Sequence, residues 1–194
     1  KLKAKTLEPI KELTLNASNL EVHSVTCDKG DCTHESQKEK DLLTVKFNEE
    51  VSECSELTII TETTCRPTAN VLEGLYYDET PKGCPCQQIT QCQQWGFQRI
   101  VPCIDDMTAK CTYTTTITGD KKYTNIISNG DVVKERSAVG EDREKIVYDN
   151  TVTPMSTYLF FLGLGTYSTF EKEFEYPDGK KFMLELLVPP GSDS

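Results

Sequence analysis

Apolar and polar residues alternate with a period of two along most of this chain, and that pattern restricts the fold more than any other feature. Leu13 and Leu15, then Leu20 and Val22, stand between polar neighbours. Leu43, Val45 and Phe47 repeat the pattern, as do Leu57 with Ile59, and Phe182, Leu184, Leu186 and Val188. Tyr113, Thr115 and Ile117 continue it within a stretch (112–118) rich in β-branched residues, and Ile146-Val147-Tyr148 adds a short run. In an extended chain successive side chains point to opposite faces, so alternation buries one face and wets the other. No long stripe at 3.6-residue spacing competes with it. Asp28-Lys29-Gly30, Gly119-Asp120, Asn129-Gly130 and Pro177-Asp178-Gly179 supply residues that tolerate turn conformations, and Asn129-Gly130 is the strongest hairpin candidate. The charged stretch 134–145 reads as an exposed connection. The expected architecture is all-β, a single domain over residues 1–194, built from packed and mainly antiparallel sheets.

Composition excludes several function classes. The chain has 194 residues, enough to bury a real core. No apolar run approaches the roughly 18 residues of a membrane span, so no membrane partner is expected. The longest run, 158–165, fits a buried strand. Net charge is -10, which argues against nucleic acid, because phosphate binding needs a basic face. The acidity reads as solubility. Nine cysteines are present; an odd count in a chain of this size reads as reduced thiols packed as small apolar groups rather than a secreted disulfide framework. The expected compartment is the cytoplasm. Cys84-Pro85-Cys86 with Cys92 is a candidate metal clip. It is the minor reading, since CxC is not the usual CxxC knuckle and no second pair stands at zinc-ribbon spacing. The chain lacks an initiator Met and ends in the linker-like stretch 188–194, so the expectation is a piece of a longer protein.

Catalytic motifs are sparse. His23 and His34 are the only histidines, and zinc hydrolysis needs about three protein ligands with an open position. His34-Glu35-Ser36-Gln37-Lys38 starts like a zinc-protease helix but lacks the second His and is expected in a polar turn. Both histidines read as solvated surface groups. Neither GxSxG nor a Gly-rich phosphate loop occurs. Asp105-Asp106 reads as a loop cap bonding backbone amides rather than a cation site.

The segment 90–106 fits neither a plain helix nor a plain strand. It holds the only Trp, Trp95, among carboxamides, thiols and Arg99, and shaped loops of this kind carry function more often than regular elements do. Thr90-Gln91-Cys92-Gln93, then Gly96-Phe97-Gln98-Arg99-Ile100 and Pro102-Cys103-Ile104-Asp105, resemble the N-terminal domain of M1-family zinc aminopeptidases. Further pieces resemble that family in the same order: Leu72 to Tyr77, Lys110 to Ile117, Ile127-Ser128-Asn129-Gly130, Thr153 to Leu159, and Gly163 to Tyr167. The likeness spans about Leu13 to Phe174, and ordered motifs are more specific than any one of them. Asp106-Met107 departs from it, where many members have an acidic residue followed by Pro.

The resemblance implies a saddle-shaped β domain preceding a thermolysin-like catalytic domain. That second domain would bring the zinc, the Gly-x-Met-Glu-Asn strand and the HExxH helix, so these 194 residues are expected to be inactive alone. The expected partners are a peptide substrate and the chain's own downstream catalytic domain. The implied function is removal of N-terminal amino acids from peptides, with this domain forming one wall of the cleft. Gln91 matches a Gln lining the first substrate pocket. Gln93 matches a position where many members carry a Glu that binds the substrate α-amine; Gln also occurs there, in the leukotriene-hydrolase branch. The bland alternative for both is hydrogen bonding to their own loop. Arg99 is expected to pair with a carboxylate inside the fold, where its planar fork suits such a partner. The alternative function is a non-catalytic β-scaffold or interaction domain of a relative.

Overall fold

A computed structural model of the chain describes residues 1–78, 80, 82–83 and 86–191. Its strands are β1 (Leu2–Lys5), β2 (Ile10–Asn16), β3 (Glu21–Cys27), β4 (Cys32–Gln37), β5 (Leu42–Val51), β6 (Glu56–Thr64), β7 (Gly74–Asp78) and β8 (Gln87–Gln91). They continue with β9 (Cys111–Asp120), β10 (Asn125–Ser128), β11 (Asp131–Val139), β12 (Arg143–Met155), β13 (Leu162–Gly165), β14 (Ser168–Glu175) and β15 (Lys181–Val188). The helical residues described form short 3-10 turns at Lys38–Lys40, Phe97–Arg99 and Thr157–Leu159. The all-β reading holds. Among the described residues no helix is long and apolar enough to cross a membrane.

The chain packs as two compact units and passes between them within β7, β8, β9 and β12 and after Phe160. The first unit holds residues 1–76, 90–112 and 152–160. Its sheets run β1-β6-β3 and β2-β5-β4, with antiparallel pairing throughout. Period two explains the core between them: Leu15 of β2, Val25 of β3, Leu43, Val45 and Phe47 of β5, and Leu57 and Ile59 of β6 are all buried together. Leu20, the residue before β3, joins them.

The second unit holds residues 77–89, 113–151 and 161–194. Sheets β10-β13-β8-β7 and β11-β12-β9 enclose a smaller core of Ile117, Tyr123, Ile126, Ile146, Tyr148 and Leu164. The buried Tyr148 hydroxyl donates to the Ile126 carbonyl at 2.8 Å, which removes the cost of an unpaired polar group. A separate two-stranded ladder, β14-β15, turns at Pro177-Asp178-Gly179, with Gly179 at φ 83°.

Several sequence expectations need correction. Residues 134–145 are not a connection: they fill most of β11, the turn after it and the start of β12, which pair antiparallel. Most of their charges face water, while Arg136 and Glu144 are half-buried and paired across the two strands at 2.6 Å. Asn129-Gly130 does turn, with Gly130 at φ 91°, but it joins strands of different sheets and makes no hairpin, because β10 pairs with β13 and β11 with β12. Gly119-Asp120 lies inside β9, and His34 lies in β4 rather than a turn. The 158–165 run is divided between a 3-10 turn and β13. Alternation in β15 gave the strand without the burial: Phe182, Leu184 and Leu186 are 36%, 48% and 61% exposed. On one face of the ladder they meet Phe174, Lys172 and Phe170, while Glu171, Glu173, Glu175 and Glu185 occupy the other.

These differences in burial separate core from surface energetically. Leu43→Ala empties a fully buried site and should cost about 2–5 kcal/mol. Leu184→Ser on the open ladder should change stability by less than about 0.5 kcal/mol. Urea unfolding midpoints of the two variants check this, with a large drop expected for Leu43→Ala alone.

Candidate functional site

Segment 90–106 begins as β8 ends and is shaped by a small set of buried residues. Cys92, Phe97, Cys103 and Asp105 are 3%, 7%, 6% and 5% exposed. The Phe97 ring packs on Phe160 with centroids 4.8 Å apart. Cys103 forms an antiparallel bridge with Asn16, closed by two backbone hydrogen bonds of 2.7 and 3.1 Å. Gly96 donates its N–H to the Cys92 carbonyl at 2.9 Å, which folds the chain back on itself. A Cβ at Gly96 would collide with the Gln91 carbonyl, so this close approach admits only glycine.

Asp105 is the centre of this arrangement. Its carboxylate accepts the Gln98 N–H at 3.0 Å and the Thr157 hydroxyl at 2.6 Å. Its own N–H donates to the Asn16 side chain at 3.0 Å. The expectation of a loop cap is met. Its partners Asn16 and Thr157, 89 and 52 residues away along the chain, carry no local signal that reveals them. Asp106 caps Thr108 through both its N–H and its hydroxyl. The hydroxyl bond, then the N–H bond, hold the Asp106 carboxyl below the usual carboxylate range.

This buried scaffold sets the exposed side chains. Cys92 points inward, and its neighbours Gln91 and Gln93 are both exposed. The Gln93–Gln94 peptide is cis. Neither Gln91 nor Gln93 has a side-chain hydrogen bond to another described residue. Trp95 stands beside them, 58% exposed.

Arg99 finds its carboxylate in Glu73, with Nε and Oε2 3.0 Å apart, but Glu73 is 55% exposed, so the pair sits at the surface rather than inside the fold. Gly74, at φ 69°, permits the approach, since a Cβ there would lie 2.7 Å from the Arg99 Cβ. Arg99 also borders a cleft of about 600 Å³ with Ser18, Leu20, Lys38 and Arg66; neither glutamine lines it. Both glutamines are exposed.

Among the described residues no group of three or more His, Cys, Asp or Glu is placed to hold a metal. Cys84 lies outside the described residues, while Cys86 and Cys92 are free thiols, one exposed and one buried. His23 and His34 are exposed, and the His23 ring bonds the Thr64 hydroxyl at 2.7 Å. Burial pushes the Cys92 thiol up to about 12, with the Asp105 charge adding to it, and the same two causes raise Cys103. Both behave as the buried apolar groups expected of reduced thiols.

With this geometry in place, comparison with known proteins identifies the class. Residues 1–159 match the peptidase M1 N-terminal domain, and the chain belongs to that family. Aminopeptidase N of Haemophilus influenzae is 31% identical over 158 residues, covering 80% of this chain and 17% of that protein. Aminopeptidase N of Escherichia coli is 30% identical over 182 residues, 93% of this chain and 19% of that protein. Tricorn protease-interacting factor F2 of Thermoplasma acidophilum is 28% identical over 188 residues, 92% and 20%. The chain thus spans about a fifth of the length of the curated relatives it matches. The crystal structure of Legionella pneumophila aminopeptidase A in complex with aspartic acid shares the fold, with a TM-score of 0.81 at 21% identity over 95% of this chain and 20% of that one.

The buried thiols give a pH prediction. Folding raises the Cys92 pKa, so the folded state favours the neutral thiol. Its contribution to stability is whole below about pH 9, the ordinary thiol value, and is lost as pH rises toward about 12. Urea midpoints measured from pH 8 to 10.5 should fall less steeply in Cys92→Ala than in the parent chain.

Proposed function

We propose that this chain is the N-terminal domain of a zinc-dependent aminopeptidase that removes N-terminal residues from peptides. In this reading segment 90–106 forms one wall of the substrate cleft, Gln91 lines the first substrate pocket, and the Gln93 carbonyl oxygen accepts a hydrogen bond from the substrate α-ammonium. The observation that carries it is the pair of exposed carboxamides, without a side-chain hydrogen bond among the described residues, on a loop whose buried side is fixed. Membership of the peptidase M1 N-terminal domain family and the aminopeptidase names of its relatives supply the reaction class. The described residues offer no ligand cluster that fits zinc, so the metal would be held by the remainder of a longer protein, and these residues would bind and orient substrate without performing the chemistry.

A Gln carbonyl oxygen accepts from an ammonium without adding charge. A carboxylate at the same place adds the attraction of a full opposite charge, so its bond to the ammonium is stronger. Gln93 would therefore give modest amine affinity, with the rest of the recognition supplied by the catalytic domain.

Kinetics of the full-length protein on amino-acid arylamides test this. A hydrogen bond to a charged group is worth about 1.5–3 kcal/mol, so Gln93→Ala should lower kcat/KM roughly 10- to 100-fold. Gln93→Glu should hold or raise it. Unchanged kcat/KM in Gln93→Ala would remove the α-amine role. A full-length protein that binds no zinc and turns over no substrate would instead support the non-catalytic scaffold.

A further inference from the structure

We propose that the cleft beside Arg99 binds a small organic carboxylate. The cleft lies within the first unit and holds about 600 Å³. Lys38, Arg66 and Arg99 line it together, three cations gathered on a chain whose net charge is -10. Neither Gln91 nor Gln93 lines it, so this inference does not rest on the function proposed above.

The donors that suit a carboxylate are in place and unused. The Arg99 side chain is only 28% exposed, and Glu73 pairs with its Nε at 3.0 Å. The two terminal nitrogens of Arg99 donate no hydrogen bond to a described residue. That leaves a two-pronged edge, the geometry a carboxylate accepts from. Arg66 reaches Glu21 at 3.4 Å, and the Lys38 ammonium has no ion pair among the described residues. Ser18 supplies a neutral donor. It is 7% exposed, yet its hydroxyl has no hydrogen-bond partner among the described residues and is not sealed from solvent. Buried hydroxyls are ordinarily paired, so an open one on a cleft wall marks a place for an acceptor.

Backbone bonds hold the wall around Ser18 in place. Ala17 donates its N–H to the Asp41 carbonyl at 2.8 Å, and Ser18 donates its own to the Gln98 carbonyl at 3.0 Å. Ala17 and Leu20 belong to the buried core cluster and also line the cleft, which gives an organic acid an apolar surface. Charge selects among anions. Glu21 and Asp41 line the cleft as well, so three positive side chains face two negative ones. One surplus cation matches a monoanion, whereas a phosphate dianion meets more repulsion from the two carboxylates. In this site the ligand carboxylate lies on the Arg99 edge, with the Ser18 hydroxyl as a further donor. Lys38 and Arg66, both exposed, add attraction.

Titration of the folded chain with N-acetyl-leucine at low ionic strength, followed by backbone amide NMR, tests this. The Ser18 and Asn19 amide signals should move and saturate, and affinity should fall as salt screens the three cations. N-acetyl-leucinamide, the same molecule without the charge, should bind at least about 10-fold more weakly, the loss expected when a hydrogen bond to a charged group goes. Arg99→Gln should weaken N-acetyl-leucine binding by a similar factor, and Lys38→Gln, at an exposed side chain, by less than about 5-fold. If Arg99→Gln loses its cooperative thermal transition, Ser18→Ala and Arg66→Gln supply the comparison, each weakening binding about 2- to 10-fold. Unchanged affinity in folded Arg99→Gln, or equal binding of the amide, would overturn the proposal. So would tighter binding of inorganic phosphate than of the acid, or shifts that grow linearly without saturating.

Discussion

The buried carboxylate of Asp105 is the interaction on which the functional surface depends. It joins the end of β2 through Asn16, the 3-10 turn through Gln98, and the turn before β13 through Thr157. These segments are remote in sequence, and each alone would have no reason to adopt its observed place. A buried charge is costly unless hydrogen-bonded, so the site is stable only with its donors present together. With Cys92, Phe97 and Cys103 buried around it, the loop presents Gln91, Gln93 and Trp95 without their own side chains having to hold it in shape.

That division between inward and outward residues matters for binding. An exposed side chain on a backbone fixed from behind leaves little backbone freedom to lose when a ligand arrives, although ordering a Gln side chain itself costs about 0.5–1.5 kcal/mol. It also has no internal hydrogen bond to break first. The proposed acceptance of an α-ammonium by Gln93 uses both properties. Gly96 is part of the same design, since its missing side chain lets the loop close over the Gln91 carbonyl.

Much of the fold was legible in the sequence for a simple reason. Period two marks which residues share a face, so Leu43, Val45 and Phe47, or Leu57 and Ile59, declare both strand and core face. What a strand pairs with is non-local, and there the reading failed. Asn129-Gly130 has the turn chemistry of a hairpin, yet β10 and β11 join different sheets because their partners β13 and β12 lie elsewhere in the chain. Pro177-Asp178-Gly179 worked because its two strands are each other's partners. Alternation also cannot say whether a face is covered, as exposed Leu184 and Leu186 show. The site was legible in a different way. Asp105 as a cap followed from residue chemistry, whereas Gln91 and Gln93 stood out through family resemblance, and their exposure became visible only in three dimensions.

The proposed contact is between Gln93 and the substrate α-amine, in a cleft completed by the rest of a longer protein. A crystal structure of the full-length protein with a bound amino-acid product measures this most directly. The claim predicts the amine nitrogen within about 2.7–3.2 Å of the Gln93 carbonyl oxygen. An amine held entirely by other residues, with Gln93 beyond hydrogen-bond reach, would contradict it.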